Sequence, residues 1–396
     1  MTDRGFDTDS VHAGQDPDPS TGARATPIYQ TTSYVFEDAD RAADLYALAA
    51  DGDVYSRISN PTVETLEDRL QALEGGVDGL ATASGMAALD AATSVLARAG
   101  DNVVAAADTY GGTHGYLAHT ASNRGVEARF VDTIGNPALD TPDIERVADI
   151  AHDNGVPLFV DNTFATPALC NPLEHGADLV WNSTTKWIHG SGTTIGGILV
   201  DGGSFPWAEY PGKYPEIAQE NPAFGGLNFA ERFGDAAFAA VARHRGVRSI
   251  GSAQSPFDAW QTLQGLETLG LRMERHCENA QVVAEYLQDH EHVEWVTYPG
   301  LESHPTHDDA AKYLDGGYGG MSYEASKAFC ESVDLASFLA NVGDAKTLVI
   351  HPASTTHAQL TPDEQREAGV SPEMVRLSVG IEDPADVVAD LEAAIP

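Results

Sequence analysis

The chain has 396 residues and a formal net charge of -38 at pH 7, with 42% hydrophobic and 21% charged residues. This length exceeds the usual size of one domain, so we expect a large domain with a smaller one appended. The negative charge argues against nucleic acid as a partner, because phosphates would be repelled over most of the surface. We find no apolar run long enough to span a bilayer and no apolar signal segment at the start, which predicts a cytoplasmic protein without membrane contact.

Lysine is scarce among the charged residues, since only five of the 22 basic residues are lysines. A surface rich in Asp and Glu and poor in Lys is typical of a salt-rich cytoplasm, where counterions screen self-repulsion. We interpret the chain as halophilic, with a merely acidic protein as the alternative. Cys170, Cys277 and Cys330 lie far apart without metal-ligand spacing, which indicates buried thiols and no metal site.

The chain order of the predicted elements indicates three parts. Residues 1–55 lack periodicity and predict an extended N-terminal arm that packs on a partner subunit, with a loosely ordered terminus as the alternative. Residues 56–255 alternate apolar runs with helical patterns, which predicts an α/β domain with a mostly parallel sheet and a ligand at the carboxyl ends of its strands. The predicted strands are Gly79–Thr82, Asn102–Ala107, Glu127–Asp132, Pro157–Asp161, Ala177–Trp181 and Ile195–Val200. The predicted helices between them are Met86–Arg98, Gly112–Asn123 and Pro142–Asp153.

Residues 256–396 predict a smaller α+β C-terminal domain. A nearly unbroken helical pattern runs from Pro256 to His290 and is expected to link the two domains. Beyond it, a strand is predicted at Val375–Val379 and a helix at Pro384–Ala394.

The first segment that carries chemistry is NSTTKWIHG, residues 182–190, which directly follows a predicted strand. An amine in a crowded, partly dry pocket loses its proton more easily and can attack an aldehyde to form an imine. Lys186 is therefore a candidate Schiff-base lysine, and the hydroxyls of Ser183 and Thr185 are candidate phosphate ligands. A solvated loop lysine is the alternative.

Asp161 ends the predicted strand before the lysine segment. A carboxylate there suits a pyridine nitrogen, because a protonated ring is the electron sink that pyridoxal phosphate needs. Two further segments follow earlier strands. The turn at Ser84, Gly85 and Met86 opens a helix whose amides could bind phosphate, and the ring of Tyr110 could stack on a pyridine.

Two arginines complete the set of candidate residues. Arg57 lies in the segment YSRISNPT and Arg376 in VRLSVG. Because a guanidinium holds a phosphate or carboxylate through two parallel hydrogen bonds, each arginine is a candidate anion ligand.

Taken in this order, the segments resemble the Cys/Met-metabolism family of pyridoxal-phosphate enzymes, with the aspartate-aminotransferase type of PLP-dependent transferase fold. The resemblance covers nearly the whole chain. The stretches 133–137 (TIGNP), 343–346 (GDAK) and 350–357 (IHPASTTH) are most similar to the family's O-acetylhomoserine sulfhydrylase branch.

The resemblance implies pyridoxal 5'-phosphate as cofactor, with Lys186 as its Schiff-base lysine and Tyr110 as a stacking and proton-transfer residue. Implied cofactor-binding residues are Tyr55, Arg57, Ser84, Gly85, Met86, Tyr110, Asn136, Asp161, Thr163, Ser183, Thr185 and Lys186. Implied substrate-binding residues are Arg376, Thr347 and Asn136. Tyr55 and Arg57 would reach across from a neighbouring subunit, which implies a homotetramer built from dimers.

The implied reaction is γ-replacement, in which O-acetyl-L-homoserine and sulfide give L-homocysteine and acetate in methionine biosynthesis. A cystathionine γ-synthase, a γ-lyase such as methionine γ-lyase, and a catalytically impaired family member stay open as alternatives. A nicotinamide-binding enzyme is disfavoured, because no GxGxxG opens the first helix.

The sequence departs from the family pattern after Asp132. Relatives have a further helix and strand between the segments that resemble residues 130–132 and 133–137, whereas here the two segments are fused. Parallel strands need a crossover of about a dozen residues, so only one helix fits between the Glu127 and Pro157 strands. We therefore predict a missing strand and helix at this point, and a shortened core strand near Met321–Tyr323.

Overall fold

A computed structural model gives the fold and describes residues 4–107, 109–131, 139–323, 327–358, 361–367 and 370–395. The strands are β1 (Asp78–Thr82), β2 (Asn102–Ala106), β3 (Glu127–Val131), β4 (Phe159–Asp161), β5 (Leu179–Asn182), β6 (Gly197–Asp201), β7 (Glu220–Asn221), β8 (Leu227–Asn228), β9 (Met321–Tyr323), β10 (Ser337–Phe338), β11 (Leu348–Ile350) and β12 (Arg376–Ser378).

The α-helices are α1 (Phe6–His12), α2 (Ala39–Tyr46), α3 (Pro61–Glu74), α4 (Gly85–Leu96), α5 (Gly111–Gly115), α6 (Ile144–Asp153), α7 (Thr166–Leu169), α8 (Pro215–Ala218), α9 (Phe229–Phe233), α10 (Ala237–Val241), α11 (Pro256–Leu266), α12 (Leu269–Gln288), α13 (His307–Tyr313), α14 (Lys327–Cys330), α15 (Pro362–Glu367) and α16 (Pro384–Ala394). Two π-helical stretches, Tyr116–Ala121 and Ala242–Arg248, continue α5 and α10.

The central sheet has the strand order β1-β6-β5-β4. β4 and β5 are parallel, while β6 runs antiparallel to both of its neighbours. All residues of β5 and β6 are buried, as expected for a sheet covered on both faces. The predicted α/β fold is confirmed, with one antiparallel strand that apolar pattern alone does not reveal.

β2 and β3 form a separate, small parallel sheet. Exposure alternates along both strands, so only one face of this sheet is covered by the core. Within the described residues, β4 pairs only with β5 and β2 only with β3. The central sheet and the small parallel sheet are thus not joined by a strand, and the predicted missing unit falls between β3 and β4.

Local signals explain the two helices nearest the site. Asn60 caps the start of α3 by accepting from Thr62 N, and Gly75 ends that helix in the left-handed conformation at φ 76°, a conformation that glycine adopts without a Cβ clash. Ser84 caps α4 by accepting from Ala87 N. Both caps satisfy amides that a helix start leaves without partners.

The C-terminal sheet has the order β10-β11-β12-β9. Its core includes Val349, Leu377 and the second half of α12, whereas Met273 and Cys277 from the first half of α12 pack in a core shared with α3 and α11. α12 therefore connects two cores, and the boundary at residue 255 stays a prediction. The predicted helix at Pro384–Ala394 is confirmed, and β9 has only three residues.

The prediction of an extended arm over residues 1–55 is wrong, whereas the two predicted helical stretches 256–290 and 112–123 are confirmed with local differences. Residues 1–55 contain α1 and α2, which are too short to show periodicity in sequence, and α1 packs against α3 and α12. The helical pattern from Pro256 to His290 breaks between α11 and α12. The predicted helix Gly112–Asn123 includes a π-helical part.

Among the described residues, no helix is long and apolar enough to cross a membrane.

Candidate active site

Lys186 lies in the turn that follows β5, where the lysine segment was predicted to meet the ligand edge. Its Nζ donates to Asn341 Oδ1 at 2.6 Å, and its backbone N–H donates to Ser183 O at 3.1 Å. Burial lowers the pKa of the Lys186 amine to about 8, and the nearby positive charge of Arg376 contributes to that shift. About a tenth of the amine is therefore unprotonated at pH 7, and the unprotonated form is the one in which a lysine acts as a nucleophile.

Asp161 ends β4, one strand away from the lysine turn. Its Oδ1 accepts from Thr163 N at 3.1 Å, and Thr163 Oγ1 in turn accepts from Ser183 N at 2.8 Å. Asp161 is exposed as a residue, yet the protein around its carboxyl group removes enough water to raise its pKa to about 6. The hydrogen bonds from Thr163 oppose that rise. The three residues form a continuous chain from the end of β4 to the lysine segment.

The start of α4 touches the same segment. A Cβ on Gly85 would lie 2.8 Å from the Cβ of Ser183, so the close approach is possible only because residue 85 has no side chain. Ser84 precedes Gly85 and caps the helix, and Met86 packs on the core beneath it. The first amides of this 12-residue helix lie beside Ser183 and could hold an anion.

Thr185 and Thr347 are engaged in structural hydrogen bonds. The Thr185 hydroxyl donates to Gly196 O and accepts from Gly196 N. The Thr347 hydroxyl donates to Glu382 Oε2 at 3.0 Å and accepts from Gly380 N, with the residue 1% exposed. The predicted binding roles of both stay predictions without support from these contacts. Asn136 lies outside the described residues.

The two candidate arginines have different surroundings. Arg376, half-buried on β12, donates to Asn341 O at 3.3 Å and so lies beside Lys186. Arg57 is exposed, donates to Arg248 O, and its guanidinium lies over the ring of Tyr55 at 5.4 Å. The structure therefore brings Arg376 to the lysine, whereas Tyr55 and Arg57 remain on the surface of the chain.

Tyr110 precedes α5 and is 54% exposed. Its ring folds back over Gly112, where a Cβ would lie 2.4 Å from Tyr110 Cε1. The neighbouring Gly111 faces the Nε2 of His357. The ring of Tyr110 is thus accessible to solvent.

Sequence reasoning missed Asn341 and Glu74. Asn341 contacts both Lys186 and Arg376, but it lies 155 residues from the lysine in sequence. The fully buried carboxylate of Glu74 accepts from the side chains of Asn162 and Asn182, the residues that follow Asp161 and precede Ser183. Burial raises the pKa of Glu74 to about 7, and the two amides oppose the rise. The sequence did hold one signal for Glu74, namely an acidic residue that ends the apolar face of α3.

Together these residues can do three things chemically. The amine of Lys186 can attack a carbonyl, the carboxylate of Asp161 can accept a proton or a hydrogen bond from a ring nitrogen, and the start of α4 can hold an anion. Arg376 can hold a second anion close to the amine. Among the described residues, no group of His, Cys, Asp and Glu is arranged to hold a metal.

The chain was also compared with known protein families, proteins and solved structures. The model of the Cys/Met metabolism PLP-dependent enzyme family matches residues 7–134 and 127–396. The two matched stretches overlap at the point where the missing unit is predicted. The O-acetyl-L-homoserine sulfhydrylase 1 of Thermus thermophilus is 49% identical over 98% of this chain and 99% of its own length. The homocysteine synthase of Schizosaccharomyces pombe is 46% identical over 98% of both chains.

A solved structure extends the likeness to the fold. A Campylobacter jejuni protein assigned as an O-acetylhomoserine (thiol)-lyase carries an N'-pyridoxyl-lysine-5'-monophosphate. It is 36% identical in sequence, with a TM-score of 0.95 over 99% of this chain and 100% of that one.

Proposed function

The chain belongs to the Cys/Met metabolism family of PLP-dependent enzymes, and we propose that it converts O-acetyl-L-homoserine and sulfide to L-homocysteine and acetate. The observation that carries the proposal is the set around Lys186, whose amine has a pKa of about 8 and contacts Asn341 beside Arg376. Relatives named for the same reaction match over nearly the full chain.

The residues present fit pyridoxal phosphate. A Cβ at position 85 would fill the space between the start of α4 and Ser183, where the phosphate has its donors. The carboxylate of Asp161 has acceptor capacity beyond its contact with Thr163. Lys186 supplies the amine for the aldehyde, and Ser84, Gly85, Met86 and Ser183 hold the phosphate, with Thr163 supporting Asp161 and Ser183. When bound, the cofactor supplies a ring that withdraws electrons from the α-carbon of an attached amino acid.

The chain's own residues then divide the remaining work. Arg376 binds the substrate carboxylate, since its guanidinium suits a planar anion, and Asn341 holds Arg376 and Lys186 beside each other. Lys186, with a pKa of about 8, carries protons between the α- and β-carbons, because a group that titrates near neutral pH both releases and accepts them. Tyr110 would stack on the cofactor ring and assist these transfers. Asp161 would keep the ring nitrogen protonated.

The test is product analysis of the purified protein with pyridoxal phosphate in molar KCl. We expect a yellow protein that releases homocysteine from O-acetylhomoserine and sulfide, and borohydride reduction should fix the cofactor at Lys186. Cystathionine formed with cysteine would indicate a cystathionine γ-synthase, and 2-oxobutanoate formed without a nucleophile would indicate a γ-lyase. A colourless protein, or reduction that labels another lysine, contradicts the proposal.

We also propose a homotetramer built from dimers, located in a salt-rich cytoplasm. The exposed Tyr55 and Arg57 are available to a second copy, and the three cysteines are free and buried, which suits a reducing compartment. Light scattering should give the mass of four chains. A melting temperature that rises between 0.1 and about 2 M KCl by at least about 5 °C would support the halophilic proposal, whereas no change would oppose it.

A further inference from the structure

Glu74 lies beneath the carboxyl ends of β4 and β5 and joins them through its side chain. Its Oε1 accepts from Asn182 Nδ2 at 2.6 Å and from Asn162 Nδ2 at 3.2 Å. Asn162 directly follows the last residue of β4, and Asn182 is the last residue of β5. A single carboxylate oxygen therefore bridges the two strands at the edge where the candidate active site lies.

The bridge is buried, and its two asparagines have few other partners. Glu74, Asn162 and Asn182 are each at most 3% exposed, so water cannot replace a lost contact. Within the described part of the chain, the side chain of Asn182 is hydrogen-bonded to Glu74 alone, since its Oδ1 has no partner. Asn162 Nδ2 has one further acceptor, Cys170 O at 3.0 Å. Glu74 is therefore the main support of the Asn182 side chain.

On the β4 side, the bridge leads to Asp161. Asn162 lies between Asp161 and Thr163 in the chain, and Thr163 N donates to Asp161 Oδ1 at 3.1 Å. Asn162 N also donates to Trp181 O at 2.9 Å, which extends the pairing of β4 with β5. A shift of the Asn162 side chain would therefore move the backbone on both sides of it, and the Asp161 carboxylate would move with that backbone.

On the β5 side, the bridge leads to the lysine turn. Asn182 precedes Ser183, whose N–H donates to Thr163 Oγ1 at 2.8 Å. The carbonyl of Ser183 accepts from Lys186 N at 3.1 Å. The two sides thus meet at Thr163, and the separation between the carboxylate at the end of β4 and the lysine turn depends on the contacts that Glu74 supports.

We propose that Glu74 is a positioning residue for the cofactor, which holds Asp161 at the correct distance from Lys186 to meet the ring nitrogen of pyridoxal phosphate. The inference rests on the proposed function for the roles of Asp161 and Lys186, and it adds a residue that acts through other side chains. Such support matters because a site that is loose by about 1 Å no longer keeps its groups in hydrogen-bonding geometry.

The first measurement is the affinity for pyridoxal phosphate, titrated into cofactor-free protein in molar KCl. Glu74→Ala should weaken binding by about tenfold, the effect of losing most of one hydrogen bond to the ring. Glu74→Gln keeps an acceptor oxygen for both asparagines and should stay within about threefold of the parent protein. Asn182→Ala breaks the same bridge on the β5 side and should also weaken binding, so it replaces Glu74→Ala if that variant does not fold.

Asp201→Asn is the matched control. Asp201 is a second buried carboxyl group, and burial raises its pKa to about 7. It pairs with Leu179 at the opposite end of β5 and accepts from Gly203 N and Ala239 N. Because distant sites act independently, its replacement should change cofactor affinity by less than about twofold. Equal weakening by Asp201→Asn and Glu74→Ala would show a general loss of stability and overturn the inference.

A pH titration of the visible absorption of the bound cofactor separates positioning from folding. The absorption changes as the nitrogen that joins Lys186 to the cofactor gains a proton, and a positive charge on the ring nitrogen opposes that gain. If Glu74→Ala displaces Asp161, the ring nitrogen is protonated less, and the midpoint should rise by about half a pH unit or more.

An unchanged affinity or an unchanged midpoint in the folded Glu74→Ala variant, or in Asn182→Ala where it takes its place, would overturn the inference. Neither measurement requires turnover. A protein that binds the cofactor but forms no homocysteine would therefore overturn the proposed function alone, because the two cofactor measurements still decide the role of Glu74.

Discussion

The central sheet and the small parallel sheet are built from similar apolar sequences but differ in how they are covered. Every residue of β5 and β6 is buried, whereas Val104 on β2 is 61% exposed and Val131 on β3 is 41% exposed. Parallel strands are normally covered on both faces. The central sheet meets that condition and carries Lys186 and Asp161, while the small parallel sheet does not and, among the described candidate residues, is followed by Tyr110. The proposed catalytic residues thus lie mainly in the better packed region.

The largest expected effect is on activity, at the end of the central sheet. Lys186→Ala should lower kcat by about a thousandfold or more, because it removes the cofactor attachment and the proton carrier together. Tyr110→Phe, on the side of the small parallel sheet, should lower kcat by only about 10-fold to 100-fold. Steady-state assays with O-acetylhomoserine and sulfide measure both.

Lys213→Ala is the matched control for the lysine, since Lys213 donates to backbone carbonyls outside the site. It should retain nearly full activity. If Tyr110→Phe were as damaging as Lys186→Ala, the central sheet would not dominate the chemistry.

The same contrast should appear in stability. Leu199 on β6 is 1% exposed, and Leu199→Ala should lower the free energy of unfolding by about 2 to 5 kcal/mol, through lost burial and the cavity left behind. Val104→Ala on β2 should change it by about 0.5 kcal/mol or less. Urea unfolding in high KCl measures both variants. A large loss from Val104→Ala would mean that the exposed face of β2 is covered in solution.

The sequence predicts site residues that lie next to a strand better than residues that come from distant parts of the chain. Asp161 ends a strand, and Ser84 and Lys186 lie in the turns that follow two other strands, so the strand pattern alone placed them at one edge of the sheet. Asn341 comes from another part of the chain, and no local pattern reports a contact across 155 residues. The antiparallel direction of β6 was equally hidden, because a fully buried strand has the same apolar pattern in either direction. The sequence also did not reveal that the Thr347 hydroxyl donates to Glu382, so its binding role stays a prediction.

A smaller effect concerns the buried carboxyl group beneath the strand ends. The pKa of Glu74 is about 7 in the fold against 4.5 for an ordinary glutamate, so the unfolded chain loses this proton first as pH rises. Folding stability should therefore fall between about pH 5 and pH 7, by up to about 3 kcal/mol from this group. Glu74→Gln should flatten the decline, and urea titrations at pH 5, 6, 7 and 8 measure it.

The Glu74→Gln variant should fold, because the new amide keeps one acceptor oxygen for Asn162 and Asn182. Asp161 and Asp201 also have raised pKa values, and they should leave a residual slope of the same sign. A decline of unchanged steepness in the variant would show that Glu74 is not the titrating group.

The smallest effect should appear in local opening. Backbone amides of β2 are hydrogen-bonded on the β3 side and flanked by an exposed face, while those of β6 lie between two neighbours. Regions with little covering structure open at lower free energy than the buried core. Amide hydrogen exchange should therefore be at least about tenfold faster in residues 102–106 than in residues 197–201. Equal protection of residues 102–106 and 197–201, at both low and high protein concentration, would contradict this ranking. Protection of β2 that grows with protein concentration would show that a second copy of the chain covers its exposed face.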